Sequence, residues 1–355
     1  MASVTVPDQA TESASPRTGA ADDTALSAFE QRLLENSQRD LAVEARPFLV
    51  LARVLGTSEE VVVQTFVELH RRGILSRVGP VLEPRACGAS TLAALAVAPE
   101  RLESVAAIVN SFPEVNHNYA REHHYNLWFV LTAANRKAID RVLAEIAART
   151  TATPLDLPML RAYHIDLGFC SAADTALRRP KAEAVQSAVV SALGRRLIIE
   201  AQDGLPLTPR PYAALANRLG ETEQSVLAET RRLLAGGAIK RIGAVVRHRR
   251  LGLTENAMTV WDVPDTQVHE YGRRLATHAR ITLCYARRRQ PPHWPYNLFC
   301  MVHARQRDQA HRALDSATLA AGLGDYPREV LFSTRCFRQR GARYAPAPTE
   351  IPDDG

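Results

Sequence analysis

The chain has 355 residues, of which 46% are apolar and 23% charged, a composition typical of a globular protein with room for several domains. No stretch approaches the roughly 20 apolar residues of a membrane span, so a membrane protein is excluded. The net charge of +6 comes mainly from arginine, and it fits either nucleic-acid phosphates or carboxylates as partners.

The cysteines and the first residues indicate a cytoplasmic protein. The five cysteines are scattered without a CxxC pair, which argues for a reducing compartment and against a zinc ribbon or an iron–sulfur cluster. Residues 1–23 lack the hydrophobic segment of a signal peptide and are expected to form a disordered tail. The HExxH, GxGxxG, GxxxxGK[ST] and GxSxG patterns are absent, which removes the main support for protease, dinucleotide, P-loop and hydrolase functions.

Residues 24–78 are predicted to form a winged helix-turn-helix. Apolar residues recur at helix-like intervals from Phe29 to Leu69. Thr57 or Ser58 is the expected N-cap of the third helix, because two glutamates follow. Gly73 ends that helix, and the segment ILSRVGPVL then reads as a short strand or wing.

Residues 79–172 are predicted to form a mixed domain. The strand-like stretches STLAALAVA and YNLWFVLTA alternate with the helical stretches RLESVAAIVNSF and NRKAIDRVLAEIAAR. The resulting order, βαββαβ, is typical of a ferredoxin-like domain.

The sequence of these two domains is repeated in the second half of the chain. RPFLVLARVLG at 46–56 matches RPYAALANRLG at 210–220, and RRGILSRVGPV matches AGGAIKRIGAV at the same offset. NYAREHHYNLWF at 118–129 returns as CYARRRQPPHWPYNLF at 284–299 with an RQPPHW insertion. We therefore predict an α+β tandem repeat, with a linker at 173–187, a second winged helix at 188–242, a second ferredoxin-like domain at 243–341 and a tail at 342–355.

These motifs resemble a known family. A winged helix followed by a βαββαβ domain resembles the Lrp/AsnC regulators, and RPFLVLARVLG, GILSRVGPV, NYAREHHYNLWF and PPHWPYNLF resemble the siroheme decarboxylases, with both subunits fused in one chain. The resemblance covers about residues 25–340. It implies removal of two acetate carboxyl groups from siroheme, giving 12,18-didecarboxysiroheme for heme d1 or alternative heme synthesis. It also implies that no cofactor is used, because the substrate brings its own iron.

DNA binding is not expected, although the fold alone suggests a transcription factor. The first recognition helix opens with Glu59 and Glu60, and the second carries Glu223 and Glu229, which would face the negative phosphate array. Acids also suit a helix N-terminus for other reasons. Two alternatives stay open: an Lrp/AsnC-type DNA-binding regulator that senses heme or an amino acid, and a tetrapyrrole-binding scaffold without turnover.

The first copy of the strand motif supplies groups suited to an octacarboxylate ring. Arginine clamps carboxylates, aromatic rings flank a flat macrocycle, and histidine titrates near neutral pH and can deliver a proton. If strand alternation extends backward from Tyr125, His123 shares its face, so His123 ranks above His124 as the donor. The alternative is a solvated surface loop. The predicted catalytic residues are His117, Tyr119, Arg121 and His123, and the predicted substrate-binding residues are His124 and Tyr125.

The second copy keeps the tyrosines and the arginine but departs from the first at the histidines. Leu283 stands where the first half has His117, and related subunits tend to carry a histidine there, so activity of this second site is in doubt. His303 is predicted either to face the pocket or to be a core histidine. The predicted catalytic residues are Tyr285 and Arg287, and the predicted substrate-binding residues are Arg288, His293, Tyr296 and His303.

A second basic cluster follows each wing. RVGPVLEPRACG aligns with the more cationic RIGAVVRHRRLG, which reads either as an edge that binds propionate or acetate groups or as a wing that once touched phosphate. The predicted substrate-binding residues here, with two from the closing strands, are Arg77, Arg85, Arg241, Arg247, His248, Arg249, Arg161 and Arg335. Siroheme is the expected partner, within an internal pseudo-dimer that can itself pair as a homodimer.

Overall fold

The computed structural model describes residues 25–83, 88–165, 190–247, 250 and 252–342. The predicted linker at 173–187, the N-terminal tail and three predicted substrate-binding residues, Arg85, His248 and Arg249, lie outside these residues. Among the described helices, none combines the length and the apolar character that crossing a membrane requires.

The first half opens with three helices and a strand, as predicted. Ser58 caps the third helix by accepting a hydrogen bond from the backbone of Val61, and Gly56 ends the second helix in the left-handed conformation that favours glycine. The elements are α1 (Ala28–Ser37), α2 (Pro47–Leu55), α3 (Glu59–Arg71) and β1 (Leu75–Leu82).

A βαββαβ domain follows. Its two long helices cover one face of a four-stranded sheet, and Asn135 caps the second of them. The elements are β2 (Ala89–Leu95), α4 (Leu102–Asn110), β3 (Val115–Arg121), β4 (Leu127–Ala133), α5 (Arg136–Thr150) and β5 (Leu155–Ile165).

The second half repeats both domains in the same order. It consists of α6 (Ala192–Ala201), α7 (Pro211–Leu219), α8 (Glu223–Ala235), β6 (Ile239–Val246), β7 (Glu255–Trp261), α9 (Val268–Ala276), β8 (Leu283–Arg287), β9 (Leu298–Ala304), α10 (Arg307–Ala321) and β10 (Arg328–Gln339). The predicted fold class, an α+β tandem repeat of a winged helix and a ferredoxin-like domain, is confirmed.

The two wings pair with each other. β1 and β6 form an antiparallel ribbon whose register sets Gly79 opposite Gly243, and one hydrophobic core lies under both sets of helices. A Cβ at Gly243 would collide with the backbone carbonyls of Ser37 and Gln38, so this close approach requires glycine. The paired wings are thus buried within the pseudo-dimer interface.

The two ferredoxin-like sheets close into one barrel of eight strands in the order β10-β3-β4-β2-β5-β8-β9-β7. The last strand of each half spans both halves. β5 pairs with β2 through its first residues and with β8 from Met159 onward, while β10 pairs with β7 and then, from Ser333, with β3. Because closure leaves none of the eight barrel strands at a free sheet edge, the halves form one structural unit.

The barrel has a wing end and a loop end. Neighbouring strands are all antiparallel, so β3 and β8 run in the same direction and the β3–β4 and β8–β9 loops emerge at one end. At the other end, Arg77 of the wing ribbon lies near the start of β3 and against Gly341, which follows β10. The outer barrel face packs under α4, α5, α9 and α10.

Candidate functional site in the barrel interior

Both copies of the strand motif turn their functional side chains into the barrel. On β3, Asn118 points outward and donates to the backbone of Ala106 on α4. On β8, Cys284 and Ala286 pack into the outer core beneath α9 and α10. Since side chains alternate along a strand, the inward set consists of His117, Tyr119 and Arg121 on β3 with Tyr285 and Arg287 on β8.

The first inward cluster is built from both halves. His117 and Tyr119 stack with ring centroids 6.4 Å apart, and the Arg121 guanidinium carbon lies 5.9 Å from the Tyr119 ring centroid. Arg121 is only 7% exposed and donates to the carbonyl of Leu331 at 2.8 Å and to the side-chain oxygen of Asn256 at 3.0 Å. The second half therefore fixes the guanidinium of an arginine that the first half supplies.

A hydrogen-bond chain extends this cluster to His303. Asn256 lies opposite His303 in the β7–β9 register, and its side-chain amide nitrogen is 3.0 Å from His303 Nε2. Thr282 Oγ1 is 3.0 Å from His303 Nδ1 and donates to the carbonyl of Met301.

These hydrogen bonds determine the tautomer of His303. Asn256 Oδ1 accepts from Arg121, so the Asn256 amide donates to His303 Nε2. The Thr282 hydroxyl donates to a carbonyl, so it accepts from His303 Nδ1. These hydrogen bonds correspond to the His303 tautomer with its proton on Nδ1. His303 belongs to the cluster of Arg121, although sequence places it in the opposite half.

The second inward cluster has the same arginine and tyrosine but other neighbours. The Arg287 guanidinium carbon lies 5.2 Å from the Tyr285 ring centroid, and Arg287 donates to Leu157 at 2.9 Å. Leu157 and Leu331 hold equivalent places in β5 and β10. Ser90 stands in place of Asn256, Thr132 in place of His303 and Asn116 in place of Thr282. These three residues do not titrate, and they are hydrogen-bonded to one another.

The two clusters therefore differ in titratable groups. The first contains His117 and His303, whereas the second has Leu283 and Thr132 at those positions. Burial, assisted by the nearby Arg77 charge, lowers the pKa of His117 to about 4. Burial also lowers the pKa of Arg287 to about 10 and raises the pKa of Tyr285 above its ordinary value. At neutral pH, His117 is thus neutral and Arg287 is still charged.

His123 lies at the loop end, away from these clusters. The expected strand alternation does not extend back to it, because β3 ends at Arg121 and residues 122–126 form a loop. His123 Nδ1 accepts a hydrogen bond from the backbone of Tyr125 at 2.9 Å, and His123 Nε2 lies 2.6 Å from Glu329 Oε2. Glu329 also accepts from Tyr296 at 2.8 Å, and burial together with that bond raises the pKa of Tyr296 to about 12.

Trp294 from the RQPPHW insertion closes this end of the barrel. It is 1% exposed, and its ring centroid lies 5.0 Å from that of Trp128, 5.1 Å from that of Tyr296 and 5.5 Å from that of His123. The two duplicated loops thus interlock around a buried indole. Neither Trp294 nor Glu329 was among the residues predicted from the sequence, since both contact His123 of the other half, which only the folded barrel brings near.

The remaining predicted residues lie outside the barrel interior. On the wing side, Arg77, Arg241 and Arg247 each donate to backbone carbonyls. His124 and His293 are exposed at the loop end. Arg335 pairs with Glu103 on the outer face, and Arg161 and Arg288 line a separate outer cavity. Among the described residues, no three His, Cys, Asp or Glu side chains converge to hold a metal ion.

Comparison with known proteins identifies both kinds of domain. An "AsnC-like ligand binding domain" family matches residues 87–164 and 250–338, and a "Siroheme decarboxylase NirDL-like HTH domain" family matches residues 30–75 and 194–239. The chain is 42% identical over 326 residues to the siroheme decarboxylase NirDL subunit of Paracoccus pantotrophus, covering 88% of this chain and 96% of that protein.

Solved structures agree with these matches over nearly the whole chain. A crystal structure of the siroheme decarboxylase NirDL has a TM-score of 0.65 and 28% identity, covering 90% of this chain and 94% of that one. A second NirDL structure, in co-complex with an iron-uroporphyrin III analogue, has a TM-score of 0.62 and 28% identity, covering 89% of this chain and 94% of that one.

Proposed function

The chain belongs to the siroheme decarboxylase family in its fused NirDL form, and we propose that it acts as a carboxy-lyase that removes two acetate carboxyl groups from siroheme. The product is 12,18-didecarboxysiroheme, an intermediate of heme d1 or alternative heme synthesis. The observation that carries the site assignment is the pair of pseudo-equivalent arginines, Arg121 and Arg287, turned into one closed barrel.

These arginines suit the carboxylates of the substrate. A guanidinium binds a carboxylate through two parallel hydrogen bonds and keeps its charge when buried. The rings of Tyr119 and Tyr285 stand beside the two arginines, where they can flank a flat macrocycle. The related structure with an iron-uroporphyrin III analogue supports a carboxylate-bearing iron tetrapyrrole as the ligand class. The substrate carries its own iron, so the proposal requires no further cofactor.

We assign the proton donor to His117. In each decarboxylation the bond between the acetate methylene and its carboxyl carbon breaks, CO₂ leaves, and the electron pair passes into the macrocycle until a proton completes the methyl group. Of the predicted donors, His124 is exposed at the loop end, and His117, His123 and His303 of the barrel differ in how many of their ring nitrogens already have a partner. Both ring nitrogens of His123 already have partners, and protonating His303 at Nε2 would displace the donor from Asn256.

His117 becomes the donor only when substrate is present. Its pKa of about 4 keeps it neutral in the empty barrel. Carboxylates arriving beside it favour the charged form and so raise its pKa, because an opposite charge stabilises imidazolium. Binding of the substrate thus favours protonation of the histidine that later donates the proton. The second cluster lacks both histidines, so we propose that it positions the ring while protons are delivered at the first.

Within the part of the chain that the structure describes, no observation favours the DNA-binding alternative. The wing strands are paired with each other rather than projecting. Glu59 is 2% exposed and ion-paired with Arg46, and Glu223 of the second recognition helix pairs with Arg210. The expectation that Glu59 faces the phosphate array is therefore wrong, because it is buried against an arginine, and it is the pairing of the wings that disfavours DNA binding.

Anaerobic incubation with siroheme followed by mass spectrometry tests the reaction. The expected result is a product lighter by two CO₂, and tight binding with unchanged mass would overturn the assignment in favour of a scaffold or sensor. His117→Gln should retain binding while losing most turnover. Leu283→Gln changes the pseudo-equivalent position and is the matched control, expected to retain turnover. Equal rates in the two variants would contradict the role of His117.

A further inference from the structure

The two inward arginines stand on opposite walls of the barrel. β3, which carries Arg121, and β8, which carries Arg287, lie four places apart in the closed order of eight strands. A flat tetrapyrrole that lies between them therefore presents carboxylates on opposite edges of its ring to different arginines. The partners of each arginine indicate what each wall does with the carboxylate that it receives.

The two guanidinium groups are hydrogen-bonded to different extents. Arg121 donates to the backbone carbonyls of Leu331 and Asn256 and to the side-chain oxygen of Asn256. Within the described residues, the Arg287 guanidinium donates only to the carbonyl of Leu157, and its buried Nε–H has no acceptor. The β8 wall thus offers hydrogen-bond donors that the protein itself leaves unused.

The charge of Arg287 also has no acidic partner in the part of the chain that the structure describes. The guanidinium carbon lies 5.2 Å from the Tyr285 ring centroid and 5.8 Å from that of Phe299, and no Asp or Glu pairs with it. Burial lowers the pKa of Arg287 to about 10, which leaves it charged at neutral pH. Because a desolvated cation is stabilised by a bound anion, a ligand carboxylate is its expected partner.

A carboxylate at the β8 wall lacks the proton donor that its loss requires. When CO₂ leaves, a proton must reach the carbon that carried it. Non-titrating residues, Leu283 and Thr132, stand where the first cluster has its two histidines. The Tyr285 hydroxyl remains, but burial raises its pKa and so makes it a weaker acid. A carboxylate bound by Arg287 is therefore expected to stay on the ring.

Given the proposed decarboxylation, on which this assignment rests, we propose that Arg287 determines the specificity of the reaction by binding a carboxylate that the reaction leaves in place. The two walls then have different roles. The ring loses its acetate carboxyl groups at the β3 wall, beside His117. The retained carboxylate on the opposite edge is held at the β8 wall, and this contact decides which acetate groups reach the first cluster.

The products of variants at residue 287 test this role. Arg287→Gln removes the charge, so the ring should bind in more than one orientation and lose acetate carboxyl groups other than the usual two. Chromatography with mass spectrometry should then show isomeric products and species lighter by more than two CO₂. Arg287→Lys keeps the charge and should restore the single product. Arg312→Gln removes one charge from an exposed position on α10 and should leave the product unchanged.

Affinities for substrate and product separate a retained carboxylate from a lost one. The titrations use a His117→Gln background, which is expected to bind without turnover, and product made by the wild type. Adding Arg287→Gln should raise the Kd of siroheme and the Kd of the product by the same factor, about tenfold. Adding Arg121→Gln should raise the Kd of siroheme more than that of the product, because the carboxylates at the β3 wall have been lost. Anaerobic absorbance titration measures each Kd.

Two results would overturn the role of Arg287. One is an Arg287→Gln variant with wild-type products or wild-type affinities. The other is a loss of affinity for siroheme without a loss for the product, which would mean that Arg287 binds an acetate that is removed. If Arg287→Gln forms no product, the two Kd values decide. A wild type that forms no decarboxylated product would instead overturn the proposed function, and the assignment of Arg287 with it.

Discussion

Arg121 of β3 donates a hydrogen bond to the side-chain oxygen of Asn256 on β7 at 3.0 Å, and the two residues come from opposite halves of the duplicated chain. The amide that accepts from Arg121 also donates to His303. One asparagine thus fixes both the direction of a buried cation and the tautomer of a histidine.

Asn256→Ala should therefore impair turnover by releasing Arg121. We expect kcat to fall about tenfold, equivalent to about 1.4 kcal/mol of lost transition-state stabilisation. Asn256→Ser introduces the residue that the second cluster carries at this position, Ser90, and should recover part of the rate because serine can still accept from the guanidinium. Steady-state decarboxylation assays measure kcat for both variants. A kcat unchanged in both variants would contradict the positioning role.

The stability of the ligand-free protein should fall as the pH is lowered from 6.5 toward 4. The folded pKa of His117, about 4, lies below its ordinary value, so the unfolded chain binds a proton that the folded chain refuses throughout this window. Between pH 7 and pH 5 this difference amounts to about 2 kcal/mol of unfolding free energy.

Denaturant unfolding of the wild type and of His117→Gln at both pH values measures this contribution. The variant should lose less stability on acidification, by about the same 2 kcal/mol, since glutamine does not titrate. Parallel pH dependence in the two proteins would place the titrating group elsewhere.

Binding of a carboxylate-rich tetrapyrrole at pH 7 should be accompanied by proton uptake. His117 is neutral in the empty barrel and is expected to become charged beside the ligand carboxylates. Calorimetric titration with uroporphyrin III in buffers of different ionisation enthalpy reports the number of protons taken up. We expect this number to fall by close to one in His117→Gln, and to stay the same in Leu283→Gln.

Trp294→Ala should destabilise the whole barrel. The indole is almost fully buried between the two duplicated loops and packs against Trp128 and His123. Removing a buried aromatic side chain of this size costs about 3–5 kcal/mol, mostly through the cavity that it leaves. Chemical denaturation measures the loss of unfolding free energy. The stability of Trp294→Phe should lie between that of the wild type and that of Trp294→Ala. A cost under about 1 kcal/mol would show that the loop end does not depend on this residue.

The sequence by itself determined the duplication, the order of elements and the faces of the motif strands. The repeat is visible because RPFLVLARVLG and RPYAALANRLG keep their spacing, and local periodicity then gives helices and strands. Alternation holds within β3, where Tyr119 and Arg121 share a face, but its extension from Tyr125 back to His123 was wrong because the strand ends at Arg121. These are local properties, decided by backbone geometry within a few residues.

The tertiary structure determined which residues the faces of the motif strands contact. β5 and β10 each pair with strands of both halves, and this closure brings His303 of the second half to Arg121 of the first. It also sets His123 beside Trp294 and Glu329 at the loop end, away from His117. Pairing between strands far apart in the chain depends on packing and register, which no local pattern encodes, so only the closed barrel shows which partners each of these histidines meets.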